Sequence, residues 1–383
     1  MRDDGEARAA EWLAAWDAQG IHRTATVGDE GSADWLMREA AALGVVAASE
    51  EWGLDRLDPV AAYLEIDGVP IDGVPVFDAP ATDPDGVIGA LGPIGGQAAI
   101  AVAELPPRIV YMPDYRRLRN GDHRGLVIVC QGAQPGLGLL NAEQFRHPYG
   151  APAIQIPSEA REMVLAAAGR GAPARLVVHS RRIPARGRNV VITVGGRDRT
   201  RTPLVVMTPR SSWWQSTAER GGGLVCWLET LRALIANPPA CEVVFTANSG
   251  HELGHLGLDD FIARRSGWER PVDHGGAVWV HYGANIGAAG GELSVHSGSK
   301  DFAARAVEEL TRFGRKPDLV APPHLVPSGE TRDIHRAGGR YLTLVGSNPW
   351  FHLPQDRWPH AVDVATIAQI AAAAAQLIVL LTR

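Results

Sequence analysis

The sequence predicts an α/β fold: a mixed, mostly parallel central sheet with helices on both faces, interrupted by an inserted β-rich segment. Three observations predict it. From about residue 186 onward, short apolar runs alternate regularly with amphipathic stretches, the rhythm of strands layered by helices. Between residues 67 and 185 the texture changes to short β runs cut by Gly and Pro. The length of 383 residues suffices for one large domain and a smaller one. The expected division is therefore an α/β domain built from residues 1–66 and 186–383, with residues 67–185 as a protease-associated-like insert.

In chain order, residues 5–19 carry Ala9, Leu13 and Trp16 at helical spacing. Ser32 reads as the N-cap of a second helix ending at Leu43, before Gly44, and 45–52 reads as a strand. Inside the insert, 125–130 and 153–157 read as buried strands, 159–168 as a helix and 176–179 as a further strand. Beyond it, strands are expected over 189–194, 204–207, 242–247, 277–282 and 341–345. Helices are expected over 222–236, 253–264, 300–313 and 362–381.

Composition excludes several classes. Hydrophobic residues at 45% and charged residues at 21% are ordinary for a globular chain, and the formal charge of −6 offers no basic field for nucleic acid or an anionic membrane. The cluster Arg181, Arg182, Arg186 and Arg188 reads as a solvated loop. Cys130, Cys226 and Cys241 are too few and scattered for a disulfide framework. The polar start Met1-Arg2-Asp3-Asp4 lacks an apolar signal core. The apolar stretch 365–381 is short for a membrane span and interrupted by Gln369 and Gln376, so it reads as a buried helix. A cytoplasmic location is expected.

In layered α/β sheets chemistry sits just beyond the carboxyl ends of strands, and polar clusters follow several of the expected ones. They are Thr208-Pro-Arg-Ser-Ser-Trp-Trp214, Ser216 to Gly223, Ser249-Gly-His-Glu-Leu-Gly-His255 and His281-Tyr-Gly-Ala-Asn285. A fifth, Trp350-Phe-His352 with Asp356, precedes the last helix. His251-Glu-Leu-Gly-His255 has the spacing by which two histidines and a glutamate serve a zinc-bound helix. Gly250 and Gly254 oppose a long helix there, so the plainer reading of His255 is packing or capping. Gly221-Gly-Gly223 lacks a Walker lysine and reads as close backbone packing.

In order, these clusters resemble the two-zinc aminopeptidase family that includes bacterial leucyl aminopeptidases and glutamate carboxypeptidase. Gly150-Ala-Pro-Ala-Ile-Gln-Ile156 is similar to a strand of that family's protease-associated insert. Glu252-Leu-Gly-His-Leu-Gly257 is similar to its Glu-Glu-Leu-Gly segment, with His251 in place of the general-base Glu. Phe351-His352 with Asp356 is similar to its closing Tyr-His…Asp element. The resemblance implies one divalent metal, zinc by preference, on Glu219, Glu252 and His352. It also implies a lost second site, where Arg210 replaces a His ligand and His281 an Asp.

The expectation that follows is a single-metal hydrolase of an amide or related C–N bond in a small carboxylate-bearing or peptide-like substrate. His251 would move the proton, Arg210 and His281 would assist catalysis, and Arg210, Trp213, Trp214 and Asn285 would hold substrate. Arg210 would place its fixed charge near the missing zinc's position. The alternatives are a metal-free lyase, hydratase or cyclase using Arg210, His251 and His281, and a non-catalytic binding protein. Glu330 and His335 are further polar candidates without an assigned role. Inserts of this kind can mediate self-association, so a homo-oligomer is also among the expectations.

Overall fold

Alternating side chains along each central strand sort the molecule into layers. The structure is a computed structural model describing residues 4–383; Met1–Asp3 of the polar N-terminus lie outside the described residues. The N-terminal part comprises α1 (Asp4–Asp17), α2 (Val27–Ala42) and β1 (Ala48–Ile66). The β-rich segment follows: β2 (Val69–Asp72), β3 (Val74–Pro75), β4 (Val87–Pro93), β5 (Ile100–Leu105), α3 (Pro113–Arg119), β6 (Gly125–Cys130), β7 (Ala153–Ile156) and α4 (Arg161–Gly169). Then come β8 (Pro173–Val194), β9 (Leu204–Pro209), α5 (Thr217–Ala236), β10 (Val243–Asn248), α6 (Leu256–Arg264) and β11 (Val278–Tyr282). The chain closes with β12 (Leu293–Ser297), α7 (Lys300–Arg312), β13 (Leu319–Val320), α8 (Thr331–Arg336), β14 (Arg340–Gly346) and α9 (Val364–Leu381).

The centre of the sheet runs β12-β14-β11-β9-β10-β8. Within it β14, β11, β9 and β10 are mutually parallel, while β8 and β12 are antiparallel to their neighbours. Val206, Phe245, Val280 and Leu342 face one way and pack under α1, α5, α7 and α9. Val205, Val244, Trp279 and Tyr341 face the other way and meet Leu258 and Phe261 of α6 and Ile334 of α8. Period-2 alternation thus builds both cores from the same strands. The last helix is apolar and long enough to cross a membrane by length and composition. Here it lies against α1, α5 and α7, with Ile367, Ile370, Ala371 and Ile378 fully buried.

A long antiparallel ribbon of β1 and β8 leads from the central sheet into the β-rich segment. There β4, β5, β6 and β7 run parallel and β3 closes the edge. α4 covers one face through Val164 and Ala167, and α3 the other through Tyr115. The segment therefore has an α/β layering of its own.

Local readings need revision at several points. The strands expected at 176–179 and 189–194 are one 22-residue strand, β8, so the Arg181–Arg188 cluster lies on a strand rather than in a loop. The boundary expected at residue 186 falls inside that strand, where Arg186 pairs with Gly53. α2 starts at Val27 after Thr26, not at Ser32, and α5 starts at Thr217, which puts the glycine run inside the helix. A Cβ on Gly222 would stand 1.9 Å from the Ile286 carbonyl oxygen, so the run serves close helix–loop packing. The helix expected from Leu253 is a single 3₁₀ turn, His251–Leu253, followed by α6. β12 and α8 had no signal strong enough to be read.

Candidate catalytic and metal-binding site

The carboxyl ends of β9, β10, β11 and β14 converge, and the turns that leave them deliver the polar side chains. β10 ends in a backbone reversal with Gly250, Gly254 and His255 all at positive φ (85°, 77° and 63°). That path keeps the two imidazoles of the His-Glu-Leu-Gly-His stretch together, with ring centroids 5.2 Å apart, but not on one helical face. Asn285 and His352 are also left-handed, at 66° and 62°. Each such non-glycine residue costs on the order of 1–2 kcal/mol, strain of a kind that concentrates at functional sites.

Two buried clusters result. The first contains the trio implied by the resemblance. Glu219 Oε1 lies 3.3 Å from His352 Nε2. His352 donates from Nδ1 to the Leu139 carbonyl at 2.6 Å, and its Nε2 is turned to Glu219. Glu252 does not face an open position. Its Oε2 accepts from Ser211 Oγ at 2.7 Å and its Oε1 accepts from Arg220 Nη2 at 2.6 Å. The same Arg220 nitrogen stands 2.8 Å from Glu219 Oε1. A fully buried guanidinium therefore bridges the two carboxylates. Burial alone would raise the Glu219 carboxyl, but Arg220 and His352 bring it down to about 2. Burial opposes the Arg220 charge, and the two glutamates more than restore it.

The second cluster surrounds Glu330, in the turn leading into α8. Its Oε1 is 2.9 Å from His251 Nδ1 and its Oε2 is 3.1 Å from His281 Nε2. Burial by itself would raise the Glu330 carboxyl, and the two imidazoles hold it well below the carboxylate range. Burial lowers His281, with Glu330 opposing. His255 Nδ1 donates to Asp333 Oδ2 at 2.7 Å. Burial would lower His255 too, but Asp333 and Glu330 raise it. Ser211 joins the clusters, because its hydroxyl oxygen accepts from the backbone N–H groups of Gly250 and His251 while donating to Glu252.

The remaining expected residues are placed as follows. Arg210 is wholly buried and directed away from both clusters: it donates to the Asp29 and Arg188 carbonyl oxygens and to Ser32 Oγ, and pairs with the Asp29 carboxylate. It ties α2 to β8 and β9, and the fixed charge expected from it near the metal position comes instead from Arg220. Trp213 packs on Phe77 and donates to Asn141, and Trp214 donates to the His352 carbonyl. Both make packing contacts, and neither lines the cleft that His251 and Asn285 face. Asn285 does face the cleft, along with His251, His281, Gly329, Phe351 and Arg108. His335 bonds Tyr341 and lies outside both clusters. Sequence reasoning missed Arg220, Asp333 and Arg108; the only signal for Arg220 was its place beside Glu219 on a helix that turned out to be buried all round.

The β-rich segment forms one wall. Besides Leu139 on His352, the Ala142 N–H donates to the Glu252 carbonyl and Glu143 pairs with Arg332. Leu139, Ala142 and Phe145 pack with Trp213, Leu253 and Leu256.

The fold is that of zinc aminopeptidases. A zinc aminopeptidase from Bacillus subtilis superposes with a TM-score of 0.75 at 18% identity, over 97% of this chain and 94% of that one. A peptidase M28 precursor from Shewanella amazonensis gives 0.73 at 13% identity, over 98% and 96%. An aminopeptidase from Aneurinibacillus sp. strain AM-1 gives 0.71 at 14%, over 98% and 92%. No protein-family model matches the chain, and no curated protein matches it in sequence.

Proposed function

We propose that this chain is a metal-dependent hydrolase of an amide or peptide bond in a small carboxylate-bearing substrate. One observation carries the reading. On a zinc-aminopeptidase fold, at the carboxyl ends of the parallel strands, lie buried ligand and acid–base atoms without directional hydrogen-bond partners: Glu219 Oε1 and Oε2, His352 Nε2, His251 Nδ1, His255 Nε2, His281 Nε2 and both Glu330 oxygens. Buried polar groups are otherwise nearly always satisfied, and such groups held together at strand ends are a candidate site on physical grounds.

Two donor sets are within reach of an ion, Glu219–Glu252–His352 and His251–His255–Glu330. A zinc-like ion there supplies a lowered pKa for its bound water and polarisation of the scissile carbonyl. The chain's own residues do the rest. His281, fixed against Glu330, is placed to take a proton from the attacking water and return it to the leaving amine. Asn285, with Oδ1 unpartnered, orients the amide. The exposed Arg108, at the cleft mouth over Phe351, offers the guanidinium for a substrate carboxylate that Arg210 does not.

The test is hydrolysis of a panel of aminoacyl amides, dipeptides and N-acyl amino acids, with and without a zinc chelator. Turnover abolished by chelator and restored by zinc, manganese or cobalt is expected. Arg108→Ala should raise KM for carboxylate-bearing substrates and leave kcat unchanged. Chelator-insensitive turnover would sink the metal-dependent reading and favour acid–base work by His281 and Glu330 alone. No turnover on any member of the panel would sink the hydrolase.

A further inference from the structure

The two donor sets differ in one respect that decides between them. In the Glu219–Glu252–His352 set a cation is built in: Arg220 Nη2 lies within 2.8 Å of both carboxylates, and both Glu252 oxygens are already hydrogen-bonded. A metal ion held by all three residues would have to displace, at Glu252, a fully buried guanidinium that cannot deprotonate. In the other set no guanidinium bonds a ligand atom among the described residues, and His251 Nδ1, His255 Nε2 and both Glu330 oxygens are unpartnered. One ring nitrogen each of His251 and His255 and a Glu330 oxygen all lie within 4.8 Å of one another. Ligands about 2.0–2.2 Å from a tetrahedral zinc stand roughly 3–3.5 Å apart, so this spacing closes on an ion with small side-chain shifts.

Resting on the metal-dependent reading above, we infer that the metal seat of this protein is His251–His255–Glu330, and that Arg220 replaces by a fixed guanidinium the ion implied between Glu219 and Glu252. Four features converge on it. The 2.9 Å approach of His251 Nδ1 to Glu330 Oε1 is not a directional hydrogen bond: both atoms remain without a partner, as ligands of a shared ion would. His255 gives Nδ1–H to Asp333, which fixes the tautomer with its lone pair on Nε2, toward the cluster. A carboxylate behind a ligating imidazole is the usual outer support of a metal site. The left-handed backbone at His255 is strain spent on bringing that ring beside His251. Two imidazoles and a carboxylate suit zinc or a similar borderline divalent ion and leave a position open for substrate.

The experiment measures zinc per chain by elemental analysis, and zinc affinity by calorimetric titration of the chelator-stripped full chain, with thermal melts as the check on folding. About one zinc per chain is expected in the parent and in Glu252→Gln. None is expected in His255→Ala or Glu330→Gln. Asp333→Asn removes no ligand and should weaken zinc binding 10- to 100-fold, which keeps the test decisive if a ligand variant fails to fold. Zinc retained in His255→Ala but lost in Glu252→Gln would overturn the inference while the hydrolase reading stands. No zinc bound by the parent would also overturn it. Zinc lost on His255→Ala in a chain without hydrolytic activity would uphold the seat and sink the hydrolase reading instead.

Discussion

The Glu219–Arg220–Glu252 cluster and the His251–His255–Glu330 cluster lie side by side, share Ser211, and are equally buried, yet they solve opposite electrostatic problems. In the first, two carboxylates share one guanidinium held at 2.8 and 2.6 Å. In the second, one carboxylate sits among three imidazoles with its oxygens lacking directional partners. Buried charge must be paired or coordinated: in the first cluster the guanidinium balances one of two carboxylates and leaves Glu219 Oε2 and His352 Nε2 unpartnered, while in the second no guanidinium bonds the carboxylate among the described residues. Polar residues gathered in one pocket therefore do not share one role; the position of a single arginine separates a structural ion pair from a ligand site.

The sharpest way to break the contrast is to remove that arginine. Arg220→Met leaves two buried carboxylates without their cation, and loss of one partner of a buried pair costs about 3–5 kcal/mol. The denaturation midpoint should fall accordingly, and added zinc should recover part of the loss by entering the vacated position. No recovery with zinc would show that Glu219, Glu252 and His352 are not a latent metal set.

A smaller effect is expected from the backbone packing that holds α5 in place. Gly222→Ala would drive a Cβ to 1.9 Å from the Ile286 carbonyl oxygen, and overpacking of this kind costs about 1–3 kcal/mol. Because Asn285 precedes Ile286 and its N–H donates to the Glu219 carbonyl, the same variant should lower turnover; a variant as stable and active as the parent would refute the tight fit.

A buried histidine outside both clusters sharpens the comparison. His22 stacks on Trp16, its Nε2 is unpartnered, and among the described residues no carboxylate accepts from it. Burial, with Arg210 adding to it, pushes its pKa down to about 3. The folded pKa lies below the unfolded one, so the unfolded chain takes up the proton first. Stability is full above about pH 6.5 and falls on acidification at roughly 1.4 kcal/mol per pH unit until about pH 3. Chemical denaturation across that range should show the slope, and His22→Phe should flatten it.

An effect comparable to that of Gly222→Ala is expected at the link. Ser211→Ala removes one donor from Glu252 and one acceptor from the Gly250 and His251 N–H groups, at about 1–3 kcal/mol for buried groups left unmade. Zinc binding should persist in this variant; its loss would mean that the two clusters act as one unit.

Much of the framework was legible because it depends on local patterning. The apolar runs at 204–207, 277–282 and 341–345 and the helix expected over 300–313 announce themselves by period, and strand ends then point to the polar turns. Where two elements share one texture the reading failed: Arg181 to Arg188 looked like a loop because a solvent-facing ribbon strand carries the same polar residues. The first turn of α5 was missed because glycines argue against a helix, whereas here they let Ile286 and Leu13 approach.

The sequence by itself determined the layered α/β framework, the order of its strands along the chain and the chemical types gathered at their ends. Only the tertiary structure decided which of those groups meet. Glu330 lies 79 positions beyond His251 in the numbering, in a turn with no periodic signal, and joins it only because α8 packs on the face of the sheet opposite α5. Arg210 and Arg220 are indistinguishable as sequence, both fixed cations in a polar stretch. One turns under α2 to Asp29 and the other reaches between two glutamates, because the direction of a long side chain is set by the packing around it and not by its neighbours in the chain.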